Sequence, residues 1–376
     1  MLSGDGVQRR VPYAFLVERP ALASVASTPL RPTEVASTAA GPSRVSTYCC
    51  PSEPFGPPPD YTGPPMNEDG SEHLYSFELD QPVANFGVAV VRESAGALVD
   101  PFVLGSKDEN DVQGYTGTPV NVNPLTVDFM ADIGAAGVQY PRLQRFYVAV
   151  DSRADPFTNR PEKGSYVLHA WVDDVVPPTL RLLTTRVSAG RPLIVGRAVD
   201  AGAGVDPLSL VFNYRGVLIG ASAYDPVTGL VAFGLPPTAP ALPSGKTSAV
   251  FFGSDYQEAK NVDTVGRDIL PNSTFDSVRL TVVDAPTVTW LEPAAGSCLG
   301  RTTQLAVAAS STTPIRRVVF RDGVRPIATV RRNAAGIYAT PWRRGGSEPG
   351  TQRLSATVVD ASGRSATATR TLDACR

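Results

Sequence analysis

Hydrophobic runs of membrane length are missing from this sequence: no apolar stretch approaches the roughly 18 residues that a spanning helix needs. Histidine is scarce as well, with only His73 and His169 in 376 residues. That leaves little material for a histidine-based metal centre or for imidazole acid–base chemistry. The four cysteines, Cys49, Cys50, Cys298 and Cys375, form no Cys-x-x-Cys pair, which argues further against structural zinc. Lysine numbers 4 against 30 arginines, a bias that reads as genome base composition rather than function. Helical 3.6-residue periodicity is sparse along the chain, so an α-rich fold is excluded.

Present instead are 35 prolines and 33 glycines, many at the ends of short apolar, β-branched runs. Such runs, each stopped by Gly, Asp or Pro, are the pattern of half-buried strands in a sandwich. The stretch Leu193–Asn261 shows it most clearly, and a second copy lies one domain downstream. Leu210-Val211-Phe212-Asn213-Tyr214-Arg215-Gly216 is echoed by Val318-Val319-Phe320-Arg321-Asp322-Gly323, and Val250–Asp255 by Ala356–Asp360. The separations Gly216 to Asp255 and Gly323 to Asp360 are 39 and 37 residues, so order and spacing both repeat. The expected fold class is all-β: tandem antiparallel β-sandwich domains after a Pro-rich N-terminal segment.

Composition shifts divide the chain. Val7–Glu18 alternates like a strand with nothing local to pair with, so residues 1–19 are expected to be the last strand of a truncated domain. No apolar signal-peptide segment precedes it in the chain as written. Residues 20–59 are expected to be a Pro-rich linker, since the span 20–65 holds 11 prolines. The first full module, 60–175, puts Tyr75, Phe77 and Leu79 on one strand face and Phe86, Val88 and Val90 on another; Val167, His169 and Trp171 share a face near its end. Val176-Pro177-Pro178 closes it, because consecutive prolines cannot continue a central strand. Two further sandwiches, 176–285 and 286–376, follow.

The strings EHLYSFELDQPVANFGVAVV, DEN and GYTG within 108–117, and the closing WVDD before Pro177-Pro178 resemble a module found after the catalytic domain of large secreted bacterial subtilisin-like serine proteases. The module is similar to the bacterial pre-peptidase C-terminal domains, which implies a jelly-roll-like sandwich for 60–175. Val199–Pro207 (VDAGAGVDP) and the stretch from Ser254 to Asn272 (SDYQEAKN to LPN) resemble the Ig-like modules that accompany it. The last module resembles generic bacterial Ig-like repeats, so the implied order is jelly-roll-like then two Ig-like. Upstream, strands like Arg10-Val11-Pro12-Tyr13 close a fibronectin-like domain, which implies such a domain's end for 1–19. The resemblance covers most of the chain from Val7 to about Asp284 and implies an accessory region of such a protease, extracellular or at the cell surface. The catalytic strings of that family, an Asp-Ser/Thr-Gly, a His-Gly-Thr and a Gly-Thr-Ser-Met, do not occur. His73 and His169 are flanked by strand residues, which makes His73 a partly exposed strand residue and His169 a packed neighbour of Trp171. Gly220-Ala221-Ser222-Ala223-Tyr224 fails as a nucleophile elbow at its last position. Ser244-Gly245-Lys246-Thr247 fails as a phosphate loop, because residue 240 is Pro and strand sequence follows. Asn272-Ser273-Thr274 is a formal glycosylation sequon that reads as a turn. The expectation is a non-enzyme with no cofactor and no nucleic-acid partner.

Three groups of candidate residues remain. Cys298 opens the last module and Cys375 ends it; first and last strands of a sandwich lie close, so a disulfide is expected, with two free thiols as the alternative. Adjacent Cys49 and Cys50 pair poorly with each other and either meet another chain or stay unpaired. Asp200, Asp206, Asp225 and Asp255 are a weak Ca²⁺ candidate; the simpler reading is that each caps its own turn. The acidic run Asp108, Glu109 and Asp111 reads as a solvated loop. Residues 286–376 carry 13 Arg against 5 acids, a net +8, while the whole chain is −2 and residues 1–285 are therefore −10. Arg317, Arg321, Arg331, Arg332, Arg343 and Arg344 can form an anionic-polymer rim, for instance for teichoic acid or heparin; the alternative is a solvated arginine-rich face. The expected function is a non-catalytic accessory region of a secreted subtilisin-like protease, serving stability or attachment to a surface or a protein substrate. The competing reading is a stand-alone extracellular adhesin or polymer-binding protein built of Ig-like modules.

Overall fold

The computed structural model describes residues 2–4, 7–9, 27–37, 73–93, 99–104, 134–152, 164–257, 262–263, 272–331, 333, 335–345 and 350–375. Among them all regular structure is strand except one 3₁₀ turn, Pro207–Ser209. The chain is an all-β protein of several mostly antiparallel sheets, as alternating short runs require. A hairpin, Leu2–Gly4 with Val7–Arg9, stands at the start; the rest of the strand expected over Val7–Glu18 lies outside the described residues, as do Cys49, Cys50, Asp108, Glu109, Asp111 and Arg332.

The first sandwich faces one sheet, ordered Thr28–Pro29, His73–Glu78, Arg145–Ser152, Val99–Leu104, with a second ordered Val262–Asp263, Ala135–Gln139, Asn85–Glu93, Ser165–Val172, Thr33–Ser37. Tyr75, Leu79, Phe86, Val88 and Val90 meet in its core with Phe77 packed alongside, which are the faces that alternation predicts. Two of its strands come from the span expected to be a linker. Proline within 28–32 did not prevent this, because both strands lie at sheet edges, where a missing ladder N–H costs little.

The middle and last sandwiches share one strand order. In the middle one, Val217–Gly220, Val211–Tyr214, Gly245–Ser254 and Ser273–Val283 lie side by side. In the last one, Arg325–Val330, Ile315–Asp322, Thr351–Asp360 and Ser365–Asp373 take the same places. The echoed segments are thus neighbouring strands in both copies, with Phe212 opposite Phe251 and Phe320 opposite Ala356. The two-residue turn Arg215-Gly216 has φ of 52° and 78°, the left-handed pair that a tight hairpin needs and that glycine makes cheap. Each core is aromatic: in the middle module Phe233 meets Phe212 tilted at 5.8 Å and Phe251 edge-on at 5.3 Å, and Trp290 meets Phe320 edge-on at 5.9 Å in the last.

The modules are also packed against each other. At the first junction Ala89, Ala135 and Trp171 of the first sandwich are buried with Ala203 and Tyr256 of the middle one. Trp171 stands opposite Gly87 in the ladder, and a Cβ on Gly87 would lie 2.2 Å from the indole, so only glycine lets the ring lie over that strand. Val262–Asp263, from a loop of the middle module, runs parallel to Ala135–Gln139 and extends the first module's sheet. At the second junction Val195 is buried with Leu291, Ala306 and Ala308. Polar contacts surround that cluster: Arg197 is ion-paired with Glu292, Ser188 N–H donates to Ser310 Oγ at 2.9 Å, and Arg364 donates to the Asp284 carbonyl at 2.8 Å.

Candidate cation site at the first module junction

Asp174, at the end of the first sandwich, meets Asp200 and Asp255 of the middle one, and one carboxylate oxygen from each lies within 4.8 Å of the others. Each is placed by its local chain. The loop after strand Ile194–Val199 turns on Asp200, whose Oδ2 accepts the N–H groups of Gly202 at 2.9 Å and Gly204 at 2.8 Å. The same loop donates Ala203 N–H to Asp174 Oδ2 at 2.6 Å. A Cβ on Gly202 would sit 2.3 Å from the Asp174 carboxyl, so glycine is what allows the approach. Asp174 itself is held by Asn85, whose side-chain amide pairs with both its backbone N–H and its C=O. Asp255 is fully buried and accepts from Gln257 N–H and from Asn272 Nδ2, each at 2.9 Å.

Three carboxylates this close repel, and burial strengthens the repulsion. Burial first, then the neighbouring Asp174 and Asp200, push the Asp255 carboxyl up to about 9. Asp200 is raised by burial and by Asp174, against the pull of its backbone donors. None of the three is ion-paired among the described residues. His169 lies beside the loop, but its Nε2 is taken up by the Gly202 carbonyl at 2.7 Å. Hard oxygen donors with excess negative charge suit a divalent cation such as Ca²⁺.

Of the four aspartates singled out by sequence, only Asp200 and Asp255 meet. Asp206 is buried and caps the 3₁₀ turn through Leu208 N–H. Asp225 is exposed on a turn of the other sheet, where Thr228 Oγ1 and Val227 N–H hold its carboxyl below the usual range. Both are turn caps. Asp206 lies beside Asp255, since Val205 bridges Asp255 and Asp206 N–H donates to the Ser254 carbonyl, but its carboxylate serves Leu208 N–H. Asp225 ends a strand away from Asp255. Asp174 went unrecognised in the sequence because it lies in what reads as a boundary. The signal was its place after a strand of the neighbouring module, visible only once the modules are docked.

The arginines separate too. Arg317 and Arg321 share the outer face of their strand while Val318 and Phe320 are fully buried. Arg353, on the adjoining strand, joins that outer face, among Ser355, Thr357, Thr367, Thr369 and Thr371. Arg331 is exposed just beyond Val330. Arg343 ends a strand of the opposite sheet with Arg344 following it, so the two do not belong to the Arg317 face. Cys298 and Cys375 are joined in a disulfide with Cα atoms 4.9 Å apart. His73 Nδ1 contacts Tyr166 Oη at 2.7 Å and His169 Nε2 contacts the Gly202 carbonyl at 2.7 Å, so among the described contacts neither ring meets a serine or cysteine. A cleft of about 510 Å³ between the middle and last modules is lined by Arg191, Ser311, Thr313, Asn333 and Tyr338 among others, and none of its described lining residues carries a carboxylate, imidazole or thiol.

No family model matches the chain, and no curated protein is similar to it. Among solved structures, fibronectin(III)-like modules of CbhA from Clostridium thermocellum are 23% identical over 23% of this chain and 94% of theirs, with a TM-score of 0.21. Dimeric latent PorU from Porphyromonas gingivalis is 13% identical over 81% of this chain and 31% of its own, with a TM-score of 0.31. The tetra-tandem repeat of the extending region of a large adhesion protein is 14% identical over 80% and 74%, with a TM-score of 0.20. At these TM-scores the likenesses carry no argument; it is the chain's own sheets, packed in pairs around common cores, that make it a tandem β-sandwich protein.

Proposed function

We propose that this chain is a non-catalytic accessory array of a secreted bacterial protein, built to hold a neighbouring domain at a defined position. The observation that carries this reading is the packing of both junctions: buried apolar clusters, an added strand and an ion pair make the three sandwiches cohere where flexible linkers would let them swing. The sequence resemblance to the region behind subtilisin-like catalytic domains supports a protease as the parent. That the chain does no bond-breaking rests on its sequence, which lacks the catalytic strings of that family. The purified chain is expected to release no peptides from casein. Release that is lost on His73→Ala or His169→Ala substitution overturns the reading.

One observation favours a second role, attachment to an acidic polymer. The sheet face with Arg317, Arg321 and Arg353 carries hydroxyls between its guanidiniums, and its charge sits in a module of net +8. Guanidinium forks bind sulfate or carboxylate through two oxygens. Exposed contacts of this kind are screened over about 8 Å at physiological ionic strength. Retention of the whole chain on heparin should therefore fall steeply with salt. An Arg317→Ser/Arg321→Ser/Arg353→Ser variant should bind about 1–3 kcal/mol more weakly at low salt. Equal elution of variant and parent chain sinks the role.

A further inference from the structure

The two Ig-like modules meet their upstream neighbours through equivalent residues, and the charges at the two places differ. In the last module Asp360 ends the strand Thr351–Asp360, is fully buried, and accepts Ser362 N–H at 3.0 Å. Its other oxygen takes Arg364 Nε and Ser311 Oγ, both at 2.9 Å. Arg364, the residue before the final strand, also donates to the Asp284 carbonyl of the preceding boundary at 2.8 Å. In the middle module Asp255 follows the equivalent strand, is fully buried, and accepts Gln257 N–H, again two residues on. Asn272, the residue before the final strand, donates to Asp255 and to the Asp174 carbonyl at 3.1 Å. Asn272 thus stands where Arg364 stands, and makes the same two contacts without the charge. Asp200 follows the strand equivalent to the one that Ser311 follows, so a hydroxyl is exchanged for a second carboxylate. Asp174 adds a third.

The Asp360 corner of the second junction therefore has one buried carboxylate and a guanidinium, while the Asp255 corner of the first has three carboxylates and an amide. A buried charge without a counter-charge is strongly destabilising. A separate feature marks the same place. Gln139 is 1% exposed, with neither amide atom bonded. It stands directly opposite Asn85 in the ladder, so its side chain leaves the same sheet face as the amide that grips Asp174. Gln257, next but one to Asp255, is fully buried and likewise has both amide atoms unbonded. Buried amides without partners are rare in native proteins, and their oxygens are good ligands for hard cations.

We propose that the first junction binds one Ca²⁺ between Asp174, Asp200 and Asp255, where the second junction places the Arg364 guanidinium. The ion ties the boundary residue of the first sandwich to two loops of the middle one, so the docking of these modules depends on calcium. This inference does not rest on a protease parent.

The whole chain, stripped with EDTA and dialysed, is titrated with CaCl₂ by calorimetry and followed by thermal unfolding. One equivalent should bind, and at calcium about 100-fold above Kd the folded-to-unfolded ratio should rise about 100-fold. Asp200→Asn should weaken calcium binding at least tenfold. Asn272→Arg should install the second junction's solution: a higher melting temperature without calcium and no further rise with it. Absence of both heat and a melting shift in the parent chain overturns the proposal. So does a calcium response that either variant leaves unchanged, since the ion would then sit elsewhere.

Discussion

Trp171→Ala should destabilise the chain by about 3–5 kcal/mol, the range for removing a buried indole, and should uncouple the first sandwich from the middle one. Trp171 is 3% exposed and belongs to the buried group that joins Ala89 and Ala135 to Ala203 and Tyr256. Its Nε1 has no hydrogen-bond partner, so truncation removes packing without orphaning a polar group. Gly87 beneath it has no side chain to fill the void, and neighbouring backbone cannot collapse without breaking the ladder between Asn85–Glu93 and Ser165–Val172. Scanning calorimetry should show a new, lower transition for the first sandwich, with the transition of the last module unchanged. A single transition shifted by the equivalent of less than about 1 kcal/mol would show that the indole merely fills surface.

Loss of the Cys298–Cys375 disulfide comes next in size. The two residues are 77 positions apart, so the bond closes nearly the whole last module into one loop. The chain-entropy model assigns such a loop on the order of 4 kcal/mol. The native ends are also held by backbone bonds, Leu299 N–H to the Asp373 carbonyl at 2.8 Å and Cys375 N–H to the Leu299 carbonyl at 2.9 Å. A Cys298→Ser/Cys375→Ser variant should therefore keep the fold and lower its stability. Denaturant titration should show an earlier midpoint for the last module alone. A midpoint equal to that of the oxidised parent chain would falsify the entropic account.

Much of the fold was legible in the sequence because strand burial has a period of two. Tyr75, Leu79, Phe86, Val88 and Val90 alternate along the chain and meet in one core. Phe212 and Phe320, matched by an internal echo, occupy equivalent central strands. The span expected to link domains was harder to read. Thr33–Ser37 is short and bordered by proline, and its partner Ser165–Val172 lies some 130 residues away, so no local pattern announces the pairing.

The candidate site divides along the same line. By itself the sequence determined that the chain is a run of β-sandwiches with a duplicated Ig-like unit, that its last module is basic, and that Cys298 and Cys375 can meet. Those properties follow from composition, alternation and spacing, which need no knowledge of distant partners. Only the tertiary structure decided which carboxylates converge. Asp206 and Asp225 are as acidic in sequence as Asp200 and Asp255, yet each bonds its own turn. Asp174 belongs to another module and reaches the cluster because Asn85, Gly202 and Trp171 dock that module in one register. The correspondence of Asn272 with Arg364 is likewise invisible in the strings, since the loops before them differ in length. It appears only when both residues are found at the same corner of the same sandwich, each holding a buried aspartate.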